Sequence, residues 1–283
     1  MSFSTQSPPE QTGPRLEQEQ PRMVAVRPPV GRSLVTYAIL GITIFVYILQ
    51  ELNRMGIARE PFLALARLVF GQENLLALLA NGWGEALPLL LGGRISEFII
   101  AGQYWRLLTP ALLHGSLQHI GANMISLFII GQRMETFYGH RRFLGLYILS
   151  AIGGNVLSFL LTPGISVGAS TAVFGLIAAE GVFAFQHRSL FGPQAREMLN
   201  NIMFLLILNL GIGLWSPYID NWGHLGGLLV GLAFAWFAGP RLRVGYRHPD
   251  YVLEDQRPPA SVWLVSAVVL LLLVLVVFFV IRF

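Results

Sequence analysis

The chain has 283 residues, of which 54% are hydrophobic and only 12% charged, with a formal net charge of +4. Soluble domains carry about twice that share of charge, so the composition excludes an ordinary soluble globular protein and points to a polytopic membrane protein. The absence of cysteine excludes disulfides, thiolate metal sites and a cysteine nucleophile. The arginines lie between apolar spans and form no aromatic-interleaved basic face, which excludes nucleic acid as the expected partner.

Residues 1–32 are rich in Pro, Gln, Glu and Arg and have no apolar period, which predicts a disordered cytoplasmic tail. The first span, 34–50, follows directly. No cleaved leader is expected, because the leading segment is long and no small-x-small site follows the span. Residues 51–113 carry Arg54, Arg59, Glu60, Arg67, Glu73, Glu85, Arg94 and Glu97. Their apolar patches, such as 75–79 and 87–91, are too short and interrupted to span, and read as amphipathic pieces at the interface.

Further spans are predicted at 115–132, 143–162, 170–186, 199–215, 222–238 and 261–281, each near the ~20 residues that cross the hydrocarbon. The expected organisation is an all-α membrane bundle. A six-span core (33–240) includes an external first loop (51–113), and a cytoplasmic linker (241–260) leads to a seventh transmembrane helix (261–283).

Orientation follows from the arginines. Arg133, Arg141 and Arg142, then Arg188 and Arg196, then Arg241, Arg243 and Arg247 join alternate pairs of spans, whereas 163–169 and 216–221 carry none. The positive-inside rule places the N-terminus in the cytoplasm and the C-terminus outside. A bacterial cytoplasmic membrane is the expected host. Spans two, four and six then all run inward from the outer face. His119 and Asn123, Ser170, and His224 begin those three spans, so residues about a hundred positions apart fall at one depth.

A serine and a histidine in apolar spans are costly without partners and mark a functional site. Serine is a weak nucleophile until a base takes its proton, and His224 is the candidate base, since His140, His187 and His248 fall in predicted cytoplasmic loops. No Asp occurs between residues 1 and 219, and Asp220 stands one turn before His224 where a helix N-cap is expected. The pattern therefore favours a Ser170–His224 dyad, with Asp220 or Asn221 as the cap. Ser170 follows Pro163, Gly164 and Gly168 at a helix start, whose free N–H groups can stabilise an oxyanion. His119 and Asn123, at i and i+4, share a helix face and can donate to the same oxyanion. Gly223, Gly227 and Gly231 give span six a small-residue stripe, and Ala172, Gly175 and Ala179 give span four a small face, for close helix approach.

Each feature also has a plainer reading. A membrane serine can bond to its own backbone. A glycine stripe can serve packing, and His119 and Asn123 can be interhelical glue. An intramembrane histidine can serve a proton pathway, although paired intraspan charges and an internal repeat are missing for a transporter. Glu135 and Glu180, toward the cytoplasmic ends of spans two and four, read as structural ion-pairing or snorkelling groups.

Several motifs agree in order and spacing over about residues 100–240. They are Gly102-Gln103-Tyr104-Trp105-Arg106 through Thr109-Pro110, then His114, His119 and Asn123; Glu135 with Tyr138-Gly139; Tyr147 and Gly154-Asn155; Gly168-Ala169-Ser170 with Phe174-Gly175-Leu176; and His224 with Gly226, Gly227 and Gly231. This set resembles the rhomboid intramembrane serine proteases. The resemblance implies a six-helix core plus a seventh helix, with a water-filled cavity opening outward. It implies a Ser–His dyad that cuts membrane-embedded protein substrates in the lipid bilayer, without a cofactor or metal. It also implies Ser170 as nucleophile, His224 as base, and His119, Asn123 and the Ser170 N–H as the oxyanion site. Trp105 and Arg106 belong to the external loop, and Glu135 to a structural position. Gly168 and Gly227 are expected to have structural or substrate-access roles. One departure stands out: Thr171 follows the nucleophile where the family most often has glycine, and its β-branch is expected to narrow the site or compete for hydrogen bonds. A non-catalytic relative that binds or escorts single-span clients is the alternative.

Overall fold

The computed structural model describes residues 26–27, 31–216, 219–248 and 250–282, so most of the predicted tail lies outside the described residues. After strand β1 (Val26–Arg27), helix α1 (Leu34–Arg54) has no cap of its own, and Glu135 supplies one from another helix. The wholly buried Glu135 carboxylate accepts from Val35 N (2.8 Å), Thr36 N (2.7 Å) and Thr36 Oγ1 (2.6 Å), and contacts His140 Nδ1. These charge-assisted bonds fill the donors that a helix start leaves free.

The first loop is a folded unit. Helices α2 (Arg59–Phe70), α3 (Gln72–Ala80) and α4 (Leu87–Gly92) close over Ala66, Leu75, Leu87 and Leu91, with Phe62, Leu63 and Phe70 around them. Gly71, at φ 80°, makes the sharp break between α2 and α3. Helix α5 (Ser96–Ile100) and two 3-10 turns, Tyr104–Leu107 and Thr109–Leu112, lead into the bundle.

Helix α6 (Leu117–Ser126) starts on Ser116, whose hydroxyl accepts from His119 N. It continues through a π turn (Leu127–Gly131) into α7 (Gln132–Leu161). The predicted loop between spans two and three is corrected here. Helix runs through 133–142 and is interrupted at Gly139, with φ 74° and ψ 161°. A single glycine that tolerates positive φ does the work of a loop. Arg133 consequently lies on a helix and pairs with Glu180.

Helix α8 (Ser170–Gln186) is buried nearly all round, as a central helix should be. The short α9 (Arg188–Phe191) and α10 (Pro193–Trp215), with proline in its first turn, lead to α11 (Asn221–Ala238). The glycine stripe of α11 is where the backbones meet. A β-carbon at Gly227 would stand 1.9 Å from Thr171 O, at Gly231 2.3 Å from Gly175 O, and at Gly226 2.6 Å from Gly153 O. All three neighbours are main-chain atoms that cannot swing aside, so α11 lies against both α8 and α7 only because these positions lack side chains.

The segment predicted as a linker, 241–260, holds a hairpin. Strands β2 (Leu242–Arg247) and β3 (Asp250–Asp255) pair antiparallel, with Arg247 opposite Asp250, and β1 joins β3 in parallel. Leu242, Val244 and Tyr246 alternate with Arg243 and Gly245, a period of two in an otherwise helical chain. His187 ties this sheet to the bundle: it is buried, its Nδ1 meets Phe183 O (2.8 Å), and Leu242 N donates to its Nε2 (2.9 Å).

Helix α12 (Ala260–Arg282) packs along the outside, with Val262 and Val277 buried and most other side chains apolar and exposed. Such a helix is stable only with lipid around it. By length and composition, Leu34–Arg54, Leu117–Leu161, Pro193–Trp215 and Ala260–Arg282 are long and apolar enough to cross a membrane. The 45-residue stretch Leu117–Leu161 holds two predicted spans, divided at Gly139. Helices α8 and α11 occupy the remaining two predicted positions. The chain is a helical membrane bundle.

Candidate active site

Ser170 is the first residue of α8, and the loop before it is pinned from three directions. Arg94 and Ser166 exchange backbone hydrogen bonds of 2.9 and 3.0 Å, Gly168 N donates to Pro110 O (2.9 Å), and Ala169 N donates to His114 Nε2 (3.4 Å). Gly168 adopts φ +129°, a conformation L side chains avoid, and a β-carbon there would stand 2.7 Å from His119 Nε2 and 3.6 Å from Ser170 Oγ. Gly168 therefore allows both the turn and the approach of His119. The hydroxyl of Ser170 is half-buried at the mouth of this turn.

His224 sits in the first turn of α11, and its Nε2 lies 2.9 Å from Ser170 Oγ. Its ring stacks on Phe174, with centroids 4.1 Å apart and planes 10° from parallel. Phe174 stands one turn after Ser170 on α8, so one helix presents both the hydroxyl and the surface that fixes the imidazole plane. The other ring nitrogen, Nδ1, is buried without a hydrogen-bond partner among the described residues.

The Asp220 carboxylate does not hydrogen-bond the His224 imidazole; the Asp220 carbonyl accepts from His224 N (3.0 Å) within the helix start. One carboxylate oxygen accepts from Gly223 N (2.8 Å), the N-cap geometry expected of it, and the carboxylate also accepts from the Ser158, Thr162 (2.7 Å) and Ser166 (2.6 Å) hydroxyls. Burial pushes the Asp220 pKa up, but those hydroxyls and the Gly223 N–H outweigh it and hold the carboxyl below its ordinary value.

His119 and Asn123 share the inner face of α6. The His119 ring lies beside Gly168 and meets the His114 ring edge-on at 5.0 Å. Asn123 Nδ2 donates to His119 O (3.1 Å) within its own helix, leaving its second N–H uncommitted by that bond. His114 is wholly buried and gripped by Gln50 of α1, whose side chain bonds both its N–H and its carbonyl. Burial first, and then His119 nearby, lower its pKa to about 3, so its imidazole is neutral. The structural part of His114 was not readable beyond its place in a motif. Its signal is the five-residue spacing to His119, which puts both rings beside the same loop.

The remaining expected site residues stand apart from the Ser170–His224 pair. Arg106 is wholly buried: Nε donates to Gln103 Oε1 (2.7 Å), Nη1 to Gly93 O (2.8 Å), and the guanidinium lies 4.6 Å over Phe98. Trp105 Nε1 donates to Leu91 O (3.3 Å). Both residues staple the 3-10 turn to α4 and α5. Glu135 caps α1, and Gly227 sits in the α8–α11 contact. The Thr171 side chain packs against Gly154 of α7 and Gly223 of α11. A β-carbon on Gly154 would meet its Cβ at 2.5 Å and one on Gly223 its Cγ2 at 3.2 Å, and its hydroxyl is buried without a partner among the described residues.

Residues 101–241 match the family described as the Rhomboid domain. The chain is similar to Rhomboid protease GluP of Bacillus subtilis (strain 168), 33% identical over 201 residues that cover 71% of this chain and 34% of the relative. It is similar to RHOMBOID-like protein 5 of Arabidopsis thaliana, 34% identical over 198 residues, covering 68% and 62% of the two chains. Rhomboid-like protease 3 of Toxoplasma gondii is 39% identical over 157 residues, covering 54% of this chain and 59% of its own length. The chain thus spans between about a third and three fifths of the length of these relatives. With the motifs in order along a helical membrane bundle, the chain belongs to the rhomboid family.

Proposed function

We propose that this protein is an intramembrane serine endopeptidase that cuts transmembrane-helix substrates near the outer membrane face, using Ser170 and His224. The observation that carries the reading is the 2.9 Å approach of Ser170 Oγ to His224 Nε2 at the head of two helices packed backbone to backbone. His224 Nε2 takes the proton as Ser170 Oγ attacks the scissile carbonyl. The imidazolium then returns that proton to the leaving amine, and water hydrolyses the acyl-enzyme by the same path. General-base assistance of this kind contributes about 10²–10⁴-fold.

The developing oxyanion is met by the Ser170 N–H, which has no partner among the described residues, with the His119 ring and the second Asn123 N–H on the facing helix. Each such donor contributes about 10²–10³-fold. Within this reading no carboxylate hydrogen-bonds the imidazole; Phe174 holds its plane instead. A helical peptide bond is shielded by its own hydrogen bonds, so substrates should have small or helix-breaking residues at the cut. The arginine pattern supports a cytoplasmic N-terminus, and with it a dyad toward the outside.

Co-expression with a model single-span substrate tests the proposal. The wild-type chain should yield a truncated product and Ser170→Ala should yield none. Equal cleavage by both rejects the assignment. If neither chain cleaves but both retain the client, the protein is a non-catalytic escort.

A further inference from the structure

Both reacting groups sit on first helical turns, where four N–H groups lack intrahelical partners and helices fray. The start of α8 is held by His114 and Pro110 through the loop before it. The start of α11, which carries His224, is held by Asp220. A cap needs a single oxygen, and Asn or Ser would provide one without desolvating a charge. Asp220 does more. Its remaining acceptor capacity goes to Ser158 and Thr162, one turn apart at the end of α7, and to Ser166 in the loop that delivers Ser170. Ser166 is also the residue that pairs with Arg94 of the external loop. Arg94 is itself buried and in electrostatic reach of Asp220.

We propose that Asp220 is a positioning residue for the dyad. Its carboxylate fastens the His224 helix at once to α7 and to the Ser170 loop, and so sets the Ser170–His224 distance. The inference rests on the protease reading above. A half-buried anion with one partner is costly, and one with four donors from three segments is rigid. This anion stands at the start of the base helix and hydrogen-bonds neither reacting side chain, so its hydrogen bonds act on the dyad through placement.

The test measures kcat and KM on a single-span substrate, the labelling rate with a serine-directed fluorophosphonate, and thermal melting. The variants are Asp220→Ala, Asp220→Asn and the double variant Thr162→Val/Ser166→Ala. A misplacement of about 1 Å costs about 10²-fold, so Asp220→Ala should lose about that factor in both kcat and labelling rate, with KM within twofold of wild type. Asp220→Asn keeps an oxygen for Gly223 N and should recover about tenfold over the alanine variant. The double variant keeps the cap and should fall between. Wild-type kcat and labelling in folded Asp220→Ala overturn the proposal. So does a loss that merely tracks the folded fraction, with asparagine no better than alanine. If Asp220→Ala does not fold, the double variant decides: wild-type kcat overturns the proposal and a selective kcat loss supports it. A folded wild-type chain that neither cleaves nor labels overturns the protease reading instead, and this inference with it.

Discussion

Gly227→Ala is the smallest change that should disable the site from a distance. The new β-carbon would stand 1.9 Å from Thr171 O and 2.8 Å from Thr171 C. An ordinary carbon–oxygen approach is about 3.3 Å, so the two helices must part by about 1.4 Å at this point. The obstacle is main chain, next in sequence to Ser170, and His224 lies three residues earlier on the moving helix. Added to the present 2.9 Å, that displacement takes the hydroxyl and imidazole to about 4 Å, outside hydrogen-bond range. The expected loss is about 10²-fold in kcat, with about 1–3 kcal/mol of stability from overpacking. Cleavage of a single-span substrate and a thermal melt in the same detergent measure both. Gly211→Ala on α10, where nothing lies within 4 Å of the new carbon, is the control and should keep wild-type activity. Full activity and an unchanged melt in Gly227→Ala would refute the claim that backbone contact sets the dyad.

Two further variants probe the frame. Thr171→Val removes a buried hydroxyl without a partner among the described residues while keeping the shape packed against Gly154 and Gly223. It should gain about 1 kcal/mol in the melt and keep activity; a large loss of kcat would give the hydroxyl a role of its own. Glu135→Gln weakens the charge-assisted bonds to Val35 and Thr36 and should cost about 1–3 kcal/mol. Its rate per folded molecule should be unchanged, and a selective kcat loss would contradict a purely structural part for Glu135.

The long apolar helices were legible because hydropathy and length suffice to find them, and α1, α8, α10, α11 and α12 lie close to their predicted spans. The glycine stripe was legible too, since a four-residue period has a direct packing meaning. The break between spans two and three was not. Arginines at 133, 141 and 142 suggest a loop, but one glycine with positive φ ends the helix, and the charges lie on helical flanks. The β2–β3 hairpin was hidden because its alternation covers only six residues per strand within a segment read as linker.

At the site, Ser170, His224 and Asp220 could be picked out as polar groups at helix starts. The stacking of Phe174 on His224 was within reach of the i, i+4 spacing from Ser170. The three hydroxyls on Asp220 were not, because Ser158, Thr162 and Ser166 are ordinary residues until the fold gathers them more than fifty positions away. Thr171 shows the opposite case. It drew notice as a departure next to the nucleophile, but its packing against Gly154 and Gly223 comes from the fold and not from the local sequence.

The central claim is that the Ser170 hydroxyl is made nucleophilic by the His224 imidazole, and labelling with a fluorophosphonate tests it most directly. Mass spectrometry of the labelled, purified wild-type chain should place the adduct on Ser170, with labelling lost in Ser170→Ala and strongly reduced in His224→Ala. An adduct on another residue, or equal labelling of wild type and His224→Ala, would contradict it.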